Sequence, residues 1–308
     1  MTGSPSTAPR RSPPGGAGER RWTVMEVARW SGDYLRGKGV DDGRLNAEYL
    51  LAHVLGIDRL QLYLDFDRPL AEAELAVYRP LLRRRAAREP LQYLLGSAPF
   101  RDLELAVDPR VAIPRPETEY LLEVLARVAG HDRVFESALD VGTGSGAIAI
   151  ALAAEGLARS VTATDISADA LEVARANATA CGRPAIDFRR GSLLDPVGGL
   201  TFDLVLSNPP YLSEAEWRGA EPEVREWEPR AAMVAGQGGL ALIAALVAGV
   251  EAVLRPDGWF GLEVGSAQGE TVAGFISDTG RFRSIRLHDD LTGRQRYVFA
   301  RRLTHDQH

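Results

Sequence analysis

Beginning at Ser137, short apolar, β-branched runs alternate with helix-patterned stretches, and this alternation restricts the fold more than any other feature of the chain. "SALDVG", "SVTATD", "AIDFRRG", "FDLVLSN" and "GWFGLEVG" read as strands. "GAIAIALAAEG", "SADALEVARANATACG", "GLALIAALVAGVEAVL" and "GETVAGFISDTG" read as helices. Strands that alternate with helices predict an α/β fold with a mostly parallel sheet covered on both faces. "FRSIRLHDD" and "RQRYVFARR" predict a closing strand pair.

The preceding part of the chain is of another kind. Residues 22–92 are helical in pattern. In "DDGRLNAEYLLAHVLGIDR", Ala47, Leu50, Leu51, Val54 and Leu55 share one helical face, Asp41 or Asp42 can cap the start and Gly56 can end it. In the helix "EAELAVYRPLLRRRAARE", Arg79, Arg83, Arg84, Arg85 and Arg88 form a charge run. It reads as a solvated helix face, with docking to an acidic partner through Arg83, Arg84 or Arg88 as the alternative. "APFRDLELAVDPRVAIP" predicts a β-hairpin within a linker over residues 93–115. Residues 1–21, rich in Pro, Gly, Ser and Arg, read as a disordered tail. The expected division is therefore tail 1–21, helical domain 22–92, hairpin 93–115 and sheet domain 116–303.

Composition narrows the chemistry. A net charge of −6 argues against a broad nucleic-acid-binding surface. A single cysteine, Cys181, rules out an intrachain disulfide, and the scattered histidines His53, His131, His288, His305 and His308 show no metal-ligand spacing. No metal is expected. No apolar run approaches the ~20 residues that span a bilayer, so no membrane association is expected either. The cysteine usage fits a reducing compartment, and a cytoplasmic monomer is expected.

The first strand of the alternating part runs into "LDVGTGSGAIAI". Gly142, Gly144 and Gly146 allow a sharp turn and close approach of a ligand to the main chain, and the following helix offers free N–H groups. Asp165 ends the second strand, where a carboxylate can accept from ribose hydroxyls. The spacing is G-x-G-x-G, with Ala147 in the place of the third glycine of the dinucleotide pattern. The loop suits a nucleoside without a pyrophosphate, and S-adenosylmethionine is such a ligand. Asp140 can position the loop or help hold the methionine ammonium through water.

The fourth strand ends in "SNPPY". Two prolines stop a strand and stiffen the turn that follows. The Asn208 side-chain oxygen and the Pro209 carbonyl can then accept from the two hydrogens of an –NH2 group, and Tyr211 can stack on a flat amide or base. An amide nitrogen is a poor nucleophile because its lone pair is delocalised. Two fixed acceptors stabilise the positive charge that develops on it during attack, and alignment supplies the rest.

"REPLQYLLG", "IPRPETE", "LDVGTGSGAIAIALA", "SNPPY", "EPEVREWEPRAAM" and "DDLTGRQRYVFAR" together resemble the PrmC/HemK family, the peptide chain release factor N5-glutamine methyltransferases, from Val24 to Arg302. The resemblance implies a class I S-adenosylmethionine-dependent methyltransferase: a Rossmann-like, mostly parallel seven-stranded sheet with a small N-terminal helical domain for substrate recognition. It implies that Gly142, Thr143, Gly144, Ser145 and Gly146 bind S-adenosylmethionine, which leaves as S-adenosylhomocysteine, and that Asp165 holds its ribose. Asn208, Pro209, Pro210 and Tyr211 would hold the glutamine of the Gly-Gly-Gln motif of class 1 release factors. Asn208, Pro209 and Tyr211 would carry the catalytic contribution, with Asn208 also bordering the cofactor. "IPRPETE" would close over the cofactor. Related enzymes often carry an aromatic residue after the third strand; "GSLLD" places Ser192 and Leu193 there, so Leu193 implies an aliphatic pocket wall.

Three other readings compete. A ribosomal-protein glutamine methyltransferase would share the chemistry, but "IPRPETE" favours the release-factor enzyme. A nucleic-acid adenine or guanine methyltransferase would need a basic surface or an added reader domain. A non-catalytic binding protein would not need the intact "NPPY" and glycine loop.

Overall fold

The computed structural model describes residues 21–304, so the tail reading lies, apart from Arg21, outside the described residues. The described residues form two compact units, one ending at Ala86 and one beginning at Ala87. This boundary precedes the expected one at Gln92. Arg88 lies in the reassigned stretch, and its bonds to Glu221 and Glu223 fall within the larger unit.

The smaller unit contains α1 (Val24–Arg36), α2 (Gly43–Leu55), α3 (Arg59–Leu64) and α4 (Glu72–Ala86). A capping box opens α1: the Thr23 hydroxyl accepts from the Glu26 N–H while the Glu26 carboxylate accepts from the Thr23 N–H. The expected Asp cap of α2 is not made. Asp42 stands at the cap position in a left-handed conformation, φ 49°, and its side chain makes no capping bond. An N-cap side chain usually reaches its N–H from extended backbone. Asn46 instead donates to the carbonyls of Asp41 and Asp42 at 3.2 and 3.1 Å. Gly56 ends α2 in the left-handed region at φ 64°. Ala47, Leu50 and Leu51 are core residues, and Val54 and Leu55 are half-buried.

The arginine run is not one solvated face. Tyr78, Leu82 and Arg85 recur at helical spacing and are all buried. Arg85 donates through Nε to Asn46 Oδ1 at 2.8 Å. Arg88, in the larger unit, is bound to Glu223 at 2.8 and 2.6 Å and to Glu221 at 2.9 Å. Arg83 and Arg84 are exposed.

The larger unit runs α5 (Leu91–Leu95), β1 (Ser97–Phe100), β2 (Leu103–Ala106), α6 (Pro116–Ala129), β3 (Phe135–Val141), α7 (Ala147–Ala154), β4 (Ala158–Asp165), α8 (Ala168–Ala180), β5 (Asp187–Arg190) and β6 (Phe202–Ser207). It continues with α9 (Glu214–Gly219), α10 (Pro222–Trp227), α11 (Ala241–Val253), β7 (Leu254–Glu263), α12 (Gly269–Asp278), β8 (Phe282–Asp289) and β9 (Gln295–Arg302). β1 and β2 pair as the expected antiparallel hairpin. The other strands form one seven-stranded sheet in the order β5-β4-β3-β6-β7-β9-β8, parallel from β5 to β7, with β9 antiparallel to both its neighbours. Each face carries its own core. Leu121, Leu125, Ile150, Leu152, Leu171 and Ala174 on α6, α7 and α8 cover one face, and Ile243, Leu246, Val250, Val272 and Ile276 on α11 and α12 cover the other.

Asn177 of α8 ties the hairpin to this framework. It accepts from the Ala106 N–H at 2.8 Å, and its amide nitrogen donates to the carbonyls of Ala106 and Ser145 at 3.0 and 2.9 Å. The buried amide thus satisfies both backbone groups of Ala106 in β2 and one carbonyl of the glycine loop. Asn177→Ala should destabilise the fold by roughly 2–4 kcal/mol, because buried backbone groups lose their partners. Urea unfolding followed by circular dichroism measures the change.

Candidate functional site

The strand register brings the candidate residues level. Val141 at the end of β3 pairs with Thr164 of β4 and with Ser207 of β6, and Ser207 pairs with Leu262 of β7. The next residues along these strands are Gly142, Asp165, Asn208 and Glu263. They form one row at the carboxyl edge of the sheet. The chain steps outward from β3 to β4 and β5, then returns to the other side of β3 as β6. A crevice at such a switch point is the usual ligand site of an open α/β sheet.

The glycine loop has φ 76° at Gly142, 55° at Gly144 and 87° at Gly146, values an L side chain rarely adopts. A Cβ added at Gly142 or Gly144 would stand in open space, whereas one at Gly146 would meet Ile150 Cδ1 at 2.9 Å. The first two glycines thus leave room beside the backbone, and the third lets the loop pack down. Thr143 and Ser145 are buried, and the Thr143 hydroxyl donates to Asp140 Oδ2 at 2.6 Å. The loop therefore offers a ligand its backbone rather than the Thr143 hydroxyl.

Asp140 is fully buried, and burial pushes its carboxyl up to about 7 against the opposing bonds from Thr143 and the Ala149 N–H. Its Oδ1 is buried and has no hydrogen-bond partner among the described residues. Asp165 Oδ2 accepts from the Gly144 N–H and Oδ1 from the Ser167 N–H, both at 2.9 Å, which leaves each oxygen a second lone pair. The orphaned Asp140 oxygen, the room at Gly142 and Gly144 and the spare capacity of Asp165 fit the ammonium and ribose of S-adenosylmethionine. Leu193 adopts φ 46°, and its carbonyl accepts from the Thr164 hydroxyl at 3.0 Å. Its half-buried side chain packs against the core under α11, and Ser192 is exposed.

The Asn-Pro-Pro-Tyr turn is held from several sides. The Ser207 hydroxyl donates to the Val141 carbonyl at 2.7 Å. Asn208 Nδ2 donates to Thr118 Oγ1 at 2.9 Å, and the Thr118 hydroxyl donates to Glu263 Oε2 at 2.8 Å. The Tyr211 hydroxyl donates to Glu263 Oε1 at 3.3 Å. Gln268 Nε2 donates to the Tyr211 carbonyl at 2.8 Å. Among the described residues, Asn208 Oδ1 and the Pro209 carbonyl make no hydrogen bond. Pro209 is buried, and Pro210 and Tyr211 are half-buried. Burial and the neighbouring Glu263 push the Tyr211 hydroxyl far above its ordinary pKa, so it stays a donor. Burial also raises the Glu263 carboxyl to about 7, opposed by Thr118, Arg296 and Tyr211.

Thr118, Glu263, Gln268 and Gly239 are site residues that the sequence reading missed. Thr118 lies inside "IPRPETE", read there as a cover for the cofactor; the structure binds that segment to Glu263 through Thr118, and to Glu228 through the Ile113 N–H at 3.0 Å and through Arg115. Glu228 belongs to "EPEVREWEPRAAM", so two motifs far apart in sequence hold one another. The available signal for Glu263 was an acid closing the apolar run "GWFGLE".

A mostly parallel seven-stranded sheet, with a glycine loop, an acid and an Asn-Pro-Pro-Tyr turn level at its carboxyl edge, defines a class I methyltransferase. The PrmC N-terminal domain model matches residues 26–96, and the methyltransferase small domain model matches residues 116–224. The chain belongs to the release factor glutamine methyltransferase family: it is 44% identical over 280 residues to the protein of that name from Geobacter sulfurreducens, covering 91% of this chain and 97% of the relative. The protein of the same name from Chlorobaculum tepidum is 49% identical over 230 residues, 71% of this chain and 78% of the relative. A methyltransferase structure from Pyrococcus furiosus shares the fold with a TM-score of 0.51 at 20% identity, over 66% of this chain and 91% of that one.

Gly239 shows how closely the turn is packed. It has φ 89°, and a Cβ there would lie 2.0 Å from the Tyr211 carbonyl oxygen. Gly239→Ala should therefore destabilise the protein by roughly 2–4 kcal/mol through strain and overpacking. Gly274→Ala in α12 meets nothing within 4 Å and should stabilise by about 0.5–1 kcal/mol. Paired urea-unfolding curves test the contrast.

Proposed function

We propose that this chain methylates the side-chain nitrogen, N5, of the glutamine in the Gly-Gly-Gln motif of class 1 peptide chain release factors. S-adenosyl-L-methionine supplies an electrophilic methyl group when bound and leaves as S-adenosyl-L-homocysteine. Family membership supports the activity. The observation that carries the chemistry is the Asn208 amide, anchored by its nitrogen so that its oxygen remains to accept.

The backbone from Gly142 to Gly146 borders the cofactor in this reading, and Asp165 accepts from its ribose hydroxyls. Asp140 Oδ1 meets the methionine ammonium, directly or through water. Leu193 belongs to the wall of this site, where its backbone bond to Thr164 holds the turn. Asn208 Oδ1 and the Pro209 carbonyl take the two N–H groups of the glutamine amide and stabilise the charge that develops on nitrogen. Pro210 stiffens the turn, and the Tyr211 ring lies against the flat amide. Residues 22–92 choose the substrate, because one glutamine in a peptide offers little surface for recognition. We infer that the enzyme works as a cytoplasmic monomer, without a metal and without binding nucleic acid; none of its described helices is long and apolar enough to cross a membrane.

Mass analysis of a co-expressed release factor should find one added methyl on the Gly-Gly-Gln glutamine. A ribosomal protein or DNA offered in its place should not be modified. Asn208→Ala should lower kcat by about 10²–10³-fold, the usual consequence of removing a preorganised group that stabilises transition-state charge. Unchanged turnover would remove Asn208 from the chemistry. Asp165→Ala should weaken S-adenosylmethionine binding by about 1.5–3 kcal/mol, the range for hydrogen bonds to a charged group, and calorimetry measures it.

A further inference from the structure

We propose that Glu263 is a positioning residue for methyl transfer: through the Thr118 hydroxyl it holds the Asn208 amide with its oxygen toward the acceptor nitrogen. The inference rests on the reading of Asn208 as the group that accepts from the glutamine N–H.

The argument is one of counting hydrogens. While Glu263 is ionised its carboxylate only accepts, so in that form the hydroxyls of Thr118 and Tyr211 must both donate to it. A threonine hydroxyl has one hydrogen. Thr118 gives it to Glu263 and can then only accept from Asn208. Of the two ends of the Asn208 amide, only Nδ2 can donate, and it does so at 2.9 Å. The oxygen is left for the substrate. A neutral group at position 263 that donates to Thr118 would allow the chain to run the other way. Thr118 would then donate to the Asn208 oxygen, and the amide would present its NH2 to the incoming NH2. Two donors cannot bond to each other. The charge on Glu263 therefore sets the polarity of a three-residue chain whose far end touches the reacting nitrogen.

The placement is built into the fold. Glu263 follows Leu262, which pairs with Ser207, so it stands beside Asn208 at the same level of the sheet. Thr118 reaches both from the first turn of α6. Glu263 is 1% exposed, and its backbone pairs with Tyr297 of β9. Water is therefore not available to replace Thr118 or Tyr211 as its partner. The same carboxylate also fixes the tip of the Tyr211 ring, so one group orients both the acceptor amide and the flat face.

The test measures kcat and KM with a full-length release factor, and S-adenosylmethionine affinity by calorimetry, for Glu263→Gln, Thr118→Val, Thr118→Ser and Asn208→Ala. Glu263→Gln keeps the shape and removes the charge; Thr118→Val keeps the shape and breaks the chain. Both should lower kcat by about 10-fold or more, with KM and cofactor affinity within about 3-fold of the parent. Thr118→Ser should regain most of what Thr118→Val loses. Adding Thr118→Val to Asn208→Ala should cost no more than about 2-fold further, since the residues act as one unit. A crippled Asn208→Ala beside undiminished kcat in Thr118→Val and Glu263→Gln would overturn the proposal while leaving the reading of Asn208 intact. Full turnover in Asn208→Ala would instead overturn that reading and this proposal with it. Should Glu263→Gln not fold, the contrast between valine and serine at position 118 and the double variant decide the matter.

Discussion

Parallel pairing without stagger at one edge of the sheet is the constraint on which the site depends. Val141, Thr164, Ser207 and Leu262 are register partners along adjacent strands. The residue after each therefore stands at the same height of the sheet: Gly142 and Asn208 just beyond their strands, Asp165 and Glu263 still paired with Arg190 and Tyr297. A slip of one residue in any of these pairings would turn that strand's side chains to the opposite face. Apolar residues of β3, β6 and β7 fill cores on both faces of the sheet, and at Gly261 a Cβ would meet Phe299 at 2.5 Å and Leu206 at 2.7 Å, so such a slip would mispack both faces. The packing of the strands thereby protects the alignment of Gly142, Asp165, Asn208 and Glu263, although none of these four is itself a core hydrophobe.

That edge carries two buried carboxylates with different surroundings. A buried charge needs partners. Glu263 has two hydroxyl donors and the nearby positive charge of Arg296. Asp140 has one hydroxyl and one backbone N–H on a single oxygen, and no partner among the described residues on the other. The first carboxylate is satisfied within the protein and orients its neighbours. The second retains capacity that suits a cation arriving with the ligand. Burial raises both to about 7, yet their different partners give them different uses.

Around this edge, single polar side chains join segments that are distant along the chain. Asn177 connects α8 to β2 and to the glycine loop. Glu228 joins the turn after α10 to the segment before α6. Gln268 holds the Tyr211 carbonyl and accepts from the Gly265 N–H at 3.0 Å. Each satisfies backbone groups that leave regular structure near the site. The glycine loop and the Asn-Pro-Pro-Tyr turn are loops, and these bonds give them the rigidity of the sheet.

The sequence by itself determined the alternation of the sheet strands with α7, α8, α11 and α12, the parallel character of the sheet, the closing pair and the hairpin, but not α6, α9 and α10. It also determined the three chain segments that hold Asp140, Asp165 and Asn208. These features are local: alternation of apolar residues, glycines at a turn and prolines after a strand act over a few neighbouring positions. It misjudged Asp42, because a capping residue type does not ensure extended backbone. It misjudged Arg85, because a charge run on a helix also places one of its members on the buried face. The tertiary structure alone decided that Thr118 stands between Asn208 and Glu263, and that Gln268 and Gly239 close on the carbonyl of Tyr211. Thr118, Asn208 and Glu263 come from three segments separated by tens of residues. Their hydrogen bonds exist only after strand pairing has brought β6 beside β7 and packing has laid α6 across them, and no pattern confined to a few neighbouring residues records that meeting.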